Sequence, residues 1–212
     1  SVFTDPMMGL SYECEPMFRK LETHFAGRIE FRSVMNLLVK DVREFMTWEE
    51  RALPPVEGIR RYNARLAEIY KSEESISGMP INMEGFRLFD EEHTSSMPLN
   101  LAYKAAELTS PEKAARFLYN LRYATIVETP PTTHLKEIMT VVRNTGIVEK
   151  SFLTHYQSGS ARAALDKDLQ LGSSLGVRSL PTYLLEYQGK SMLLQTFDYE
   201  DFVAAIREIS SG

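Results

Sequence analysis

The 212 residues of the chain suffice for one large domain or for a domain with a sizeable insertion. The formal net charge of -5 and the pI of about 5.5 argue against nucleic acid as a partner, and no apolar run approaches the roughly 18 residues that a membrane helix needs. With 25% charged and 43% hydrophobic residues, the composition is that of a globular protein and excludes long disordered tracts.

The first 35 residues predict a strand, a helix and a second strand. Residues 1–4 are β-like, and apolar residues recur at helical spacing over residues 10–25. Pro16 lies inside this helical pattern and should kink the helix, and Gly27 should end it. Residues 29–35 alternate apolar and polar side chains, which is typical of a strand. This order predicts a βαβ unit with parallel strands and a right-handed crossover.

Helical patterns then replace strand patterns for more than a hundred residues. Helices are predicted over residues 41–52, 59–70, 99–108, 111–127, 133–144, 149–156 and 160–172. Residues 72–90 are polar and interrupted by glycine and proline, which predicts a loop. No internal repeat is visible, so the stretch is interpreted as one helical insertion.

Strand patterns return after Pro181. Residues 182–187 and 191–195 predict a hairpin around Gly189, and Asp198 predicts the N-cap of a last helix. The order β-α-β, helices, β-β-α predicts an α/β protein with a thioredoxin fold. The predicted thioredoxin-like domain comprises residues 1–35 and 175–212, and the predicted inserted helical domain comprises residues 36–174.

Two segments resemble a known family. Asp5-Pro6-Met7, a tetrad Met8-Gly9-Leu10-Ser11, and then Tyr12 and Glu15-Pro16 resemble the opening of DsbA-like proteins of the FrnE type. Residues 175–182, which include Pro181, resemble the cis-proline loop of that family, and residues 41–47 and 116–118 resemble further family segments. The resemblance covers nearly the whole chain. It implies a bacterial-type disulfide oxidoreductase scaffold with a thioredoxin fold and an inserted helical domain.

The tetrad departs from the family pattern at the residues that carry the chemistry. Members of the family usually have Cys-x-x-Cys there, whereas this chain has Met8 and Ser11 at the two cysteine positions. Disulfide exchange requires a thiolate that attacks a sulfur and a second thiol that resolves the mixed disulfide. A thioether has no proton to lose, and a serine hydroxyl does not ionise near neutral pH unaided. We therefore expect a degenerate active site that cannot perform dithiol exchange.

The resemblance implies a binding groove that remains after the thiols are lost. It implies that Pro181 is cis and faces the tetrad, and that the backbone of Leu180 can pair with an extended peptide. The expected ligand-binding residues are Met8, Ser11, Tyr12, Leu180 and Pro181. The expected ligand is an extended peptide or a small thiol or anionic molecule, and no bound cofactor is expected.

Two alternatives stay open. Glutathione-dependent transferases and isomerases with a related fold use a serine at this helix start, which makes Ser11 the candidate residue for non-dithiol chemistry with glutathione. Some DsbA-like proteins are adaptors that present partners to a protease, although no motif in this chain specifically indicates that role. The sequence does not fix the oligomeric state.

Cys14 is the single cysteine, so an internal disulfide is impossible. Since disulfides are typical of secreted proteins, we expect a cytoplasmic protein. Cys14 lies one helical turn beyond Ser11, on the same face as apolar residues of the predicted helix. This position predicts a buried and unreactive thiol.

Other residues with reactive side chains form no pattern that predicts chemistry. Acidic pairs such as Glu73-Glu74 predict solvated surface, and Trp48 predicts a core position. The histidines are scattered and lack the spacing of a metal site, so no metal ligand is predicted among His24, His93, His134 and His155.

Overall fold

The computed structural model describes residues 1–211, and within them the sheet has four strands in the order β2-β1-β3-β4. The strands are β1 Val2–Thr4, β2 Ser33–Met35, β3 Thr182–Tyr187 and β4 Lys190–Leu194. Strand β1 runs parallel to β2 and antiparallel to β3, and β3 and β4 form an antiparallel hairpin. This topology is that of the predicted thioredoxin fold. Residue 212, the last of the predicted second segment, lies outside the described residues.

The second strand is shorter than the sequence indicates. The prediction of a strand over residues 29–32 is wrong, because the parallel ladder begins only where β1 begins, with Val2 opposite Ser33. The Val2 amide donates to the carbonyl of Arg32 at 2.7 Å, and no strand lies N-terminal to this point in the described segment 5–32.

Ten α-helices lie within residues 1–211. They are α1 Gly9–Glu13, α2 Glu15–His24, α3 Trp48–Arg51, α4 Pro55–Glu73, α5 Met97–Thr109, α6 Ala114–Tyr123, α7 Leu135–Thr145, α8 Glu149–Gln157, α9 Ser160–Ser174 and α10 Tyr199–Ser211. A turn of π-helix at Ala124–Glu128 extends α6, and Asp198 caps α10 by accepting the amides of Glu200 and Asp201. These helices agree with the predicted insertion and the predicted last helix.

One predicted helix is broken in two. Residues 41–52 form a single 3-10 turn, Val42–Glu44, and then the short helix α3. The break occurs because Thr47 starts a new helix: its hydroxyl accepts the Glu50 amide at 3.2 Å, and the Glu50 carboxylate accepts the Thr47 amide at 2.8 Å. This reciprocal pair is a capping box.

The predicted first helix is interrupted close to Pro16. Helix α1 ends at Glu13 and α2 begins at Glu15, so the interruption falls at Cys14, two residues before Pro16. The missing proline amide leaves this turn without one helical hydrogen bond. The chain then leaves α2 through Ala26 and Gly27, both with a left-handed backbone.

The largest hydrophobic core lies within the helical insertion, and the sheet domain reaches into it. Met7, Tyr12 and Met35 come from the sheet domain and pack with buried residues of helices α4 to α9. Separate clusters around Phe3 and Tyr183 cover the sheet. The start of α1 therefore sits at the junction of the sheet and the insertion. None of the helices in the described part of the chain is long and apolar enough for a bilayer crossing.

Candidate functional site

The turn that leads into α1 is held by side chains from distant segments. The amide of Met7 donates to the Asp5 carboxylate at 3.0 Å, and the Met8 amide donates to the Asp5 carbonyl at 3.1 Å. Tyr70 of α4 donates its hydroxyl proton to the Met7 carbonyl at 2.6 Å. Met8 is consequently fixed as the N-cap residue of α1, directly before Gly9.

Asp5 is fully buried and joins this turn to the insertion. Its second carboxylate oxygen accepts the Leu38 amide at 2.9 Å, the Ser96 hydroxyl at 2.6 Å and the Asn100 side-chain amide at 2.8 Å. Burial raises the pKa of Asp5, and these hydrogen bonds oppose that rise. A buried carboxylate is tolerated here because several donors replace its lost hydration.

A groove of about 310 Å³ opens beside this turn. One wall comes from the turn and the start of α1, another from α4, and Leu180 contributes from the loop before β3. The lining is mostly apolar and consists of Met7, Met8, Gly9, Leu10, Leu38, Val39, Phe45, Tyr62, Arg65, Leu66, Ile69, Tyr70, Glu73 and Leu180.

The structure brings together only some of the residues that the sequence analysis nominated. Met8 and Leu180 line the same groove, whereas Ser11, Tyr12 and Pro181 do not line it and are buried. The Leu180–Pro181 peptide bond is cis. Within residues 1–211, neither the amide nor the carbonyl of Leu180 forms a hydrogen bond. In this described part of the chain the backbone of Leu180 is therefore unpaired, and Leu180 lines the same groove as Met8.

Ser11 is part of a buried hydrogen-bond network. Its side chain lies 2.8 Å from the Thr4 hydroxyl and 3.8 Å from the Met8 sulfur. Arg122 of α6 donates to the Thr4 hydroxyl at 2.7 Å and to Glu15 at 3.3 Å. Ser11 is only 1% exposed, so its hydroxyl satisfies interior partners and offers no accessible nucleophile or ligand contact.

Cys14 is buried, as the sequence predicts. Its sulfur lies 3.4 Å from the Tyr183 hydroxyl on the sheet side of the helix, away from the groove-lining residues. Desolvation by burial raises the pKa of the thiol, which disfavours the nucleophilic thiolate.

Glu73 is a groove residue that the sequence analysis missed. An added Cβ at Gly9 would lie 1.9 Å from the Glu73 Oε2 atom. The absence of a side chain at Gly9 therefore leaves room for the Glu73 carboxylate in this wall of the groove. Among residues 1–211, Oε2 is buried and has no hydrogen-bond partner. Desolvation, followed by repulsion from the Glu13 carboxylate, raises the pKa of Glu73 to about 7. The prediction of a solvated Glu73-Glu74 pair is therefore wrong for Glu73.

The shifted pKa of Glu73 predicts a pH-dependent stability. Since the folded protein binds this proton more tightly than the unfolded chain, where the pKa is near 4.5, the free energy of unfolding should fall as pH rises from about 4.5 to about 7. Allowing for the partial exposure of this carboxylate, the Glu73→Gln variant should be more stable than the native chain by about 1 kcal/mol at pH 8 and equal at pH 4. Urea unfolding at the two pH values measures the difference.

Glu68→Gln is the matched control for this measurement, because Glu68 lies on the exposed side of the same helix. The Glu68→Gln substitution should leave the pH dependence of the free energy of unfolding as it is in the native protein. If the free energy of unfolding changed with pH in the same way in Glu73→Gln and in the native protein, the Glu73 carboxylate would be ordinarily hydrated and the prediction would be wrong.

Trp48 and the histidines also differ from their predictions. Trp48 is 76% exposed and lies on the surface at the first residue of α3, so the prediction of a core position is wrong. The prediction of scattered histidines is wrong for one pair: the rings of His93 and His134 stack with centroids 3.8 Å apart. The two residues are far apart in sequence, and local spacing carries no signal of this contact.

Comparisons with known proteins place these features in a wider context. A family model described as thioredoxin matches residues 2–198. Two relatives are named ClpXP adapter protein SpxH: the Bacillus subtilis protein is 24% identical over 183 residues, and the Halalkalibacterium halodurans protein is 25% identical over 189 residues. These alignments cover 85% and 86% of this chain and 56% of each relative, so the chain spans little more than half of their length.

A solved structure shows the same fold at lower identity. The cytosolic disulfide reductase DsbM from Pseudomonas aeruginosa superposes with a TM-score of 0.70 and 18% identity, covering 99% of this chain and 98% of that one. At this level of identity the likeness concerns the fold.

Proposed function

This chain belongs to the thioredoxin family, and from that premise we propose that it works by binding an extended segment of a partner protein and not by disulfide exchange. The observation that carries the proposal is a mostly apolar groove that is lined by both Met8 and Leu180, and the Leu180 backbone forms no hydrogen bond within residues 1–211. We also propose that the chain is a FrnE-type member of the DsbA-like proteins in which Met8 and Ser11 have replaced the two cysteines.

The lining of the groove suits a protein segment. Apolar side chains from α1 and α4 provide contact area, and methionine adapts its shape to different side chains. The unpaired backbone of Leu180 can donate to and accept from an extended peptide, as in β-strand addition. Phe45 and Ile69 at the margin are 45% and 44% exposed, which provides apolar anchor points at the entrance.

The names of the relatives support a protein partner over a small molecule. Two relatives are named as adapters of ClpXP, and an adapter acts by holding another protein. We propose an adapter-like role for this chain, in the cytoplasm, in which the groove holds the partner. Because the alignments cover only 56% of each relative, the role proposed for this chain concerns the binding step alone.

The alternative of glutathione-dependent chemistry has less support. It requires an accessible hydroxyl at Ser11, and that hydroxyl is buried against Thr4 and Met8. Reduced glutathione at millimolar concentration should therefore compete weakly or not at all with a peptide in the groove.

The proposal is tested by selecting peptides and then altering the groove margin. A phage-displayed library of random peptides of about 12 residues should yield peptides that bind the native protein. Their affinity should fall about tenfold or more in the Ile69→Asp variant, because the bound peptide would cover a carboxylate where it now contacts an apolar side chain. Binding is measured by calorimetry and by the fluorescence of Trp48, the single tryptophan, which lies three residues from Phe45.

Val56→Asp is the matched control, since Val56 is also an exposed apolar residue of α4 and does not line the groove. It should retain full affinity. Failure to select any peptide, or equal binding by the Ile69→Asp and native proteins, would rule the groove out as the binding surface.

A further inference from the structure

Three side chains with metal-binding groups converge in the insertion, apart from the groove. Asp90 and His93 belong to the loop between α4 and α5, and His134 immediately precedes α7. His93 Nδ1 lies 2.9 Å from one oxygen of Asp90, and His134 Nε2 lies 2.6 Å from the other. The three donor atoms all lie within 4.8 Å of one another, and no other such group of three or more occurs among residues 1–211.

Buried hydrogen bonds fix the backbone on both sides of this cluster. The side chain of Asn63 donates to the Phe89 carbonyl at 2.8 Å and accepts the Phe89 amide at 3.1 Å. The hydroxyl of Thr133 donates to the Leu88 carbonyl at 2.6 Å, so the loop is tied directly to the residue before His134. The three side chains are therefore placed by rigid neighbours and do not depend on a mobile loop tip.

The cluster is accessible from solvent. The side chains of Asp90, His93 and His134 are 45%, 29% and 34% exposed. An ion can enter without any rearrangement of the core, and water can complete its coordination.

We propose that Asp90, His93 and His134 form a binding site for a divalent transition-metal ion of the zinc type. Two imidazole nitrogens and one carboxylate oxygen are a ligand set that suits Zn²⁺, whereas Mg²⁺ and Ca²⁺ prefer oxygen ligands alone. The ion takes the place of the two imidazole protons that face Asp90. Each neutral ring then carries its proton on its other nitrogen, His93 on Nε2 and His134 on Nδ1, so binding to the neutral rings needs no net proton loss.

The site would join two separate segments of the insertion. It links the loop before α5 to the start of α7, and the adjoining Phe89 ring packs against Tyr62, with ring centroids 6.0 Å apart. The proposal does not depend on the proposed peptide groove, although Tyr62 lines that groove.

The test is a zinc titration of the full chain, without an affinity tag and after removal of metals with a chelator. Calorimetry should show one equivalent of Zn²⁺ bound, and Co²⁺ should give the visible absorption of a site with nitrogen ligands. His93→Ala and His134→Ala should each weaken Zn²⁺ binding about 100-fold, and Asp90→Asn should weaken it at least tenfold.

The chain supplies its own controls in His24 and His155, which lie outside the cluster. His24→Ala and His155→Ala should bind Zn²⁺ like the native protein, and Mg²⁺ should not compete. In thermal unfolding, Zn²⁺ should raise the midpoint of the native protein and of both controls but not that of His134→Ala.

Two outcomes would overturn the proposal. One is the absence of stoichiometric Zn²⁺ binding by the native chain. The other is unchanged affinity in a folded His134→Ala variant, which would mean that the three side chains form only a hydrogen-bonded surface cluster.

Discussion

Replacing Asp5 by alanine should lower the free energy of unfolding by about 4 kcal/mol. The substitution removes a fully buried carboxylate that accepts four hydrogen bonds, from the amides of Met7 and Leu38, the hydroxyl of Ser96 and the side-chain amide of Asn100. The two backbone amides lose their acceptor, whereas Ser96 and Asn100 each keep a second acceptor, the carbonyls of Val39 and Ser96. Asp5 is 0% exposed, so the donors left unmet around it carry most of the loss. Urea or guanidinium unfolding followed by circular dichroism measures the change.

Asp166→Ala provides the comparison on the surface. Asp166 pairs with Arg162 one helical turn away in α9, and both side chains are about half exposed. Loss of such a pair should lower stability by less than about 0.5 kcal/mol. If the two variants were destabilised equally, Asp5 would not have the central structural role that its hydrogen bonds indicate.

The double substitution Met8→Cys and Ser11→Cys should create disulfide reductase activity, with an insulin-reduction rate at least about 100-fold above that of the native chain. Met8 is the N-cap residue of α1 and Ser11 follows it three residues later, which is the spacing of the two thiols in a Cys-x-x-Cys motif. Met8 lines the groove together with Leu180, which precedes the cis peptide bond, so the shorter cysteine side chain leaves space in the groove for a substrate disulfide beside the first thiol.

The single variants separate the two roles of the new thiols. Met8→Cys alone should form a mixed disulfide with a substrate and should not turn over, because no second thiol resolves it. Ser11→Cys alone should stay unreactive at its buried position. A folded double variant that forms its internal disulfide but does not reduce insulin would show that the groove no longer admits a peptide, and this would also count against the proposed function.

The element order was predictable because hydrophobic periodicity and turn residues are local signals. The hairpin around Gly189 and the helix that begins after Asp198 depend on neighbouring residues alone. The break at Thr47 was missed, although Thr47 and Glu50 have the spacing of a capping box, which is a local signal. The start of β2 could not be predicted from the sequence, because the length of this strand depends on its partner strand β1.

Residues of the candidate groove were predictable only where they belong to a segment that resembles a known family. Met8 and Leu180 were found through their place in two family segments, and both line the groove. Glu73 was missed because its burial depends on a missing side chain 64 positions earlier, at Gly9. Trp48 was misplaced because its aromatic character favours burial, whereas the first turn of a short capped helix exposes it.

The buried contacts of Arg122 determine how the molecule can deform. Arg122 belongs to the insertion and donates to Thr4 in the central strand and to Glu15 in α2, so any hinge between the two regions would strip a charged group of its partners inside the protein. The walls of the groove come from the same two regions, so the contacts of Arg122 also fix the distance between those walls. For the proposed function, this predicts that a partner is selected by how well its backbone and side chains fit a groove whose walls do not move apart.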